Sequence, residues 1–173
     1  MVVAFWPRDL AFIARSVPAI TTFFFALLSL VPFHLPAFGA VAPSFVLMAV
    51  FHWTIYRPEL LPLSAVFLIG VLLDLLNGTI YVGLTALVLL LARTVLLGQR
   101  RFFIPRPFPI LWLGFLALAA GAALFEWAFV SLLQATWLEP RSFILQTLIT
   151  AACFPIGSYL LALAHRAVPN PGG

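Results

Sequence analysis

The chain has 173 residues, of which 64% are hydrophobic and 8% charged, and a mean hydropathy of +1.16. A soluble globular domain is excluded, because there apolar residues make up about half of the chain and charged residues about a quarter. The basic residues are nine arginines and no lysine, against five acids, for a formal charge of +4. They lie scattered between long apolar runs and make no patch, which excludes a nucleic-acid binder and reads as a topology signal for a membrane protein.

A bilayer-spanning helix needs about 20 apolar residues at about 1.5 Å each. The length therefore allows about six spans and almost no soluble domain. The predicted fold class is an all-α integral membrane protein, a single polytopic domain over 1–173 with about six transmembrane helices in a compact bundle. Residues 2–15, with Phe5, Trp6 and Phe12 beside Arg8 and Arg15, read as a short interfacial segment. Apolar runs then predict helices over 17–35, 41–56, 61–76, 79–97, 109–133 and 143–165. A signal peptide ending near Ala37-Phe38-Gly39-Ala40 is disfavoured, because the first run exceeds the roughly 7–15 residues of a signal core.

The second and third runs, about 16 residues each, reach about 24 Å, short of the roughly 30 Å hydrocarbon core. Under six spans, Arg8, Arg15, Arg57, Arg100, Arg101, Arg106 and Arg166 fall on one side and only Arg141 on the other. That places both termini in the cytoplasm. Arg93, inside the fourth run, is expected to snorkel to the headgroups. The tail, 168–173, is expected to be disordered. Cys153 is the only cysteine, so no intramolecular disulfide forms.

Two acids stand inside apolar runs. Asp74 follows Gly70 by four residues and precedes Asn77 by three, so the three share one helix face near the outer end of the third run. The residue types fit either a helix terminus in the headgroups or a buried polar contact or ligand site. Gly78 can supply a positive-φ turn, and Gly83 is expected to let the returning helix pack closely. Glu126 lies deep in the fifth run behind Ala119, Ala122 and Ala123, a face suited to close helix packing. It is expected to pair with a neighbour such as His52 or Arg93, or to stay neutral; a proton or substrate relay is the sharper reading.

Trp53 and Tyr56 read as interfacial anchors. Arg57-Pro58-Glu59 reads as a rigid cytoplasmic turn, a connector or a partner contact. Histidine pairs at ligand spacing, nucleophile elbows and phosphate loops are absent from the sequence, so no catalytic residue, cofactor or metal site is expected.

Trp53, Tyr56-Arg57-Pro58, Phe67-x-x-Gly70-x-x-x-Asp74 and Gly78-x-x-x-x-Gly83, taken in order, resemble the central signature of the MreD family of bacterial rod shape-determining membrane proteins. The resemblance implies a non-enzymatic, multi-pass protein of the cytoplasmic (inner) membrane. It also implies a place in the cell-elongation machinery beside MreC, MreB, RodA and a class B penicillin-binding protein. A fold similar to the S components of energy-coupling-factor transporters, with an outward pocket that Asp74 can line, is implied as well. The alternative reading is an S-component-like subunit that binds a vitamin-sized molecule.

Overall fold

The computed structural model describes residues 8–31, 33–35, 39–137 and 139–166. The elements are α1 (Arg8–Leu28), a ribbon of β1 (Phe33–Leu35) and β2 (Gly39–Val41), and α2 (Phe45–Tyr56). A 3₁₀ turn (Pro58–Leu60), α3 (Leu63–Leu76), α4 (Leu84–Phe103), α5 (Phe108–Gln134) and α6 (Arg141–Arg166) follow. The described residues are thus helical apart from one small antiparallel ribbon, in which Phe33 faces Val41.

Packing is arranged around α2. Its sequence, FVLMAVFHWTIY, carries no charged side chain, and every residue from Phe45 to Ile55 is buried. Because α2 is covered on all sides by the other helices, its length is matched to protein rather than to lipid. Phe51 is its aromatic hub, with ring centroids of Phe103, Phe115 and Phe154 at 5.9, 5.4 and 5.6 Å in edge-to-face geometry, the arrangement the ring quadrupole favours. Trp53 is fully buried, and its indole N–H donates to Thr21 Oγ1 at 3.0 Å. The expected interfacial anchor is a core residue: its polar edge finds a hydroxyl on α1 and has no need of the headgroups.

α5 and α6 form a hairpin against this centre. Pro155 interrupts α6 and cannot donate to the carbonyl four residues back, that of Ala151. Trp112 of α5 supplies the missing donor, its indole N–H reaching Ala151 O at 2.9 Å. In an apolar medium such a replacement donor is what makes a mid-helix proline tolerable.

Several boundaries differ from the sequence expectation: α1 begins at Arg8, within the expected interfacial segment 2–15, and α2 begins at Phe45 and not at 41, with Val41 in the ribbon. The first run was expected to stay helical to residue 35, but α1 ends at Leu28 and residues 33–35 enter the ribbon; apolar character alone does not separate helix from strand. The fourth run was expected over 79–97, but α4 starts at Leu84 and continues to Phe103. Gln99, Arg100 and Arg101 are good helix formers, and the arginines suit the negative end of the helix dipole. The expected disordered tail lies outside the described residues. Among the described helices, α5 and α6 are long and apolar enough to cross a membrane, while Phe45–Tyr56 and Leu63–Leu76 are apolar but shorter.

Candidate functional site

The end of α3 meets the start of α4 through Asp74, and the start of α2 meets the start of α6 and the residue after α1, the Ser44 N–H bonding Thr150 Oγ1 and the Val46 N–H bonding Ser29 Oγ; these form one, arginine-poor end of the bundle, while Arg93 and Arg100 bond carbonyls of the α2–α3 turn and the end of α2 at the other. The α3–α4 turn belongs to this arginine-poor end. There α3 stops in a Schellman motif: the Gly78 N–H bonds Leu75 O at 3.2 Å and the Thr79 N–H bonds Asp74 O at 3.2 Å, with Gly78 at φ +61. The chain then re-enters a helix at Gly83, whose φ of +101 is a left-handed value that only glycine adopts without strain.

Asp74 joins the two halves of this turn. Its carboxylate is 1% exposed. Oδ2 accepts the Gly83 N–H at 2.7 Å and the Thr85 N–H at 3.1 Å. These are donors of the first turn of α4, which has no capping side chain of its own. A side chain from α3 therefore does the work of an N-cap on α4, and its charge sits at the positive end of that helix dipole. One turn earlier, Gly70 lies against α4 so closely that a Cβ built on it would be 2.4 Å from Ala86 Cα. Close packing is thus located at Gly70 and Ala86. Gly83, expected to serve packing, has open space around it and serves by its φ and its N–H.

Asn77, on the exposed side of the turn, and Thr85, on its inner side, belong to the lining of a cavity of about 250 Å³ formed by α2 to α6 with Ser29, just past the end of α1. Across it stand Glu126 on α5 and Gln146, Thr147 and Thr150 on α6, with Ser44 at the start of α2. Ala119, Ala122 and Ala123 of α5 also line it. These small residues border this space, and Ala119 is at the same time part of the buried core, with Ala122 packed against it. Asp74 is not part of the lining, because its oxygens are turned to the α4 backbone. Glu126 is paired with neither His52 nor Arg93, and both have other contact partners, aromatic rings in the case of His52, whose buried Nε2 has no hydrogen bond among the described residues.

Those partners lie at the opposite, arginine-rich end. Arg93 is 6% exposed and its Nη2 donates to Pro58 O at 3.1 Å and Leu61 O at 2.8 Å. The expected snorkelling does not occur: these carbonyls of the α2–α3 turn hold Nη2 inside the protein, while the buried Nε has no hydrogen-bond partner among the described residues. Arg100 Nε donates to Ile55 O at 2.9 Å, one of the last carbonyls of α2. Arg57 lies 4.0 Å from Glu59 across the same turn. His52 packs against the rings of Trp53, Tyr56 and His165, with centroids at 5.4, 4.8 and 5.7 Å.

Gln146, Thr147, Ser44 and Thr85 do not stand out in the sequence as site residues. Their signal, isolated polar residues at helix ends, is shared with ordinary caps. No group of three or more histidine, cysteine or acidic residues suited to a metal ion occurs among the described residues.

The family model described as rod shape-determining protein MreD matches residues 11–163 of the chain. No curated protein matches it, and no solved structure does.

Proposed function

Since the chain belongs to the MreD family of rod shape-determining proteins, bacterial membrane proteins that act in cell shape, we propose that it is a multi-pass scaffold of the cytoplasmic membrane. In this reading it organises lateral peptidoglycan synthesis together with MreC, in a complex with MreB, RodA and a class B penicillin-binding protein. The family match, which extends over most of the chain, carries this reading.

Six spans with both termini cytoplasmic are supported by the arginines gathered at one end of the bundle. α4, of 20 residues, reaches about 30 Å at about 1.5 Å per residue, and the apolar part of α1 is Ser16–Leu28. The shorter α2 is encased and the shorter α3 is held by the hairpin, so neither has to match the bilayer alone. The turn Arg57–Leu61, at the arginine-rich end of the bundle and braced by Arg93, is then a rigid cytoplasmic surface. Family membership favours shape determination over a vitamin-transporter subunit.

Depleting the protein in a rod-shaped host is expected to give rounded cells, and restoring it to recover rods. Rods that persist after depletion contradict the proposal. Purification from native membranes is expected to carry MreC along; a preparation holding a transporter ATPase instead favours the alternative.

A further inference from the structure

The cavity at the arginine-poor end has an uneven set of polar groups. Several are committed within the protein: Thr150 Oγ1 donates to Gln146 O at 2.6 Å and accepts the Ser44 N–H at 3.0 Å, Thr147 Oγ1 donates to Phe143 O at 2.9 Å, and Ser29 Oγ donates to Phe25 O and accepts the Val46 N–H. Others line the same space with no side-chain hydrogen bond among the described residues: the Glu126 carboxyl, the Gln146 and Asn77 carboxamides, and the Ser44 and Thr85 hydroxyls.

Four of these five, Ser44, Thr85, Glu126 and Gln146, are partly buried, and uncommitted polar groups gathered at one cavity are more than packing uses, since apolar side chains serve packing at lower cost. The rest of the wall is apolar, with Leu47, Leu73, Val88 and Leu89, the mixture of apolar surface and a few placed polar groups found in small-molecule sites. The one ionisable group in the lining is an acid, which selects against anions. A divalent metal ion needs six or more oxygens, usually with several carboxylates, for Ca²⁺, and only one carboxylate lines this space.

We propose that this cavity is a binding site for a small organic cation, a protonated amine carrying hydroxyl or amide groups. Its ammonium pairs with Glu126, and its neutral polar groups bond to Gln146, Asn77, Ser44 and Thr85. The volume of about 250 Å³ lies just below the usual range for ligand pockets, about 300–1,000 Å³, so the ligand is smaller than a typical vitamin. The site goes beyond the shape-determining reading, which stands or falls separately on cell morphology.

The test is the unfolding temperature of the full-length protein in mild detergent, titrated with 3-amino-1,2-propanediol and, separately, with glycerol, which has a hydroxyl in place of the ammonium. The amine is expected to raise the unfolding temperature saturably and glycerol to leave it unchanged. Glu126→Gln, which keeps the side-chain shape, is expected to weaken amine binding at least tenfold, as loss of a charge-assisted contact should. Ala123→Leu, which fills the space from the cavity wall, is expected to abolish it. No stabilisation by the amine, equal stabilisation by glycerol or by sodium chloride, or unchanged binding in Glu126→Gln would each overturn the proposal.

Discussion

The two acids inside apolar helices make opposite use of their charge. Asp74, between α3 and α4, accepts backbone N–H groups from the first turn of a helix that lacks its own cap. Glu126, on α5, has no hydrogen-bond or ion-pair partner among the described residues and lines a cavity. Both bear the desolvation cost of a carboxylate in an apolar setting, but only one recovers it within the fold. An acid whose oxygens are satisfied by the backbone belongs to stability; one held in a polar cavity without a partner belongs to binding.

The comparison is broken most severely at the hairpin that holds Asp74 in place. Gly70→Leu puts side-chain atoms where Ala86 backbone already lies, so α3 and α4 must separate; the expected cost is about 3 kcal/mol or more, read as lost folded protein in membranes. Asp74→Leu removes the cap and leaves the Gly83 and Thr85 N–H groups without acceptors, an expected loss of about 2–4 kcal/mol in unfolding titrations. Asp74→Asn, which keeps one carbonyl acceptor, is expected to cost less than Asp74→Leu.

At the other end of the bundle, Arg93→Leu strips donors from Pro58 O and Leu61 O, with an expected loss of about 1–3 kcal/mol in the same titration. Ala135, which closes α5 at φ +50, offers a gain: Ala135→Gly relieves a left-handed residue and is expected to raise stability by about 1 kcal/mol. Glu126→Gln is expected to move stability by less than about 0.5 kcal/mol, since no partner in the fold is lost. A loss there as large as that of Asp74→Leu would erase the distinction between the two acids.

Much of this was legible in the sequence, and the rest was hidden for identifiable reasons. Helix positions followed from apolar runs, and the order of residues from Trp53 to Gly83 pointed to the family that the match over 11–163 establishes. That Asp74 needed a reason was visible; its partners were not, because they are main-chain N–H groups that every sequence contains. Gly83 was read as a packing residue because a glycine written in a sequence does not distinguish a missing Cβ from a positive φ. The sequence points Arg93 to the headgroups because carbonyl acceptors leave no trace in composition. Ala119, Ala122 and Ala123 have a spacing that serves a tight helix contact and a cavity wall equally well. Only the position of α6 across from them decides which.

The most direct test of the division between a structural and a binding acid is a side-by-side measurement of folded protein in native membranes for Asp74→Leu and Glu126→Gln. The account predicts strong depletion of Asp74→Leu and accumulation of Glu126→Gln at the level of the unsubstituted chain. Full accumulation of Asp74→Leu, or depletion of Glu126→Gln, would contradict it.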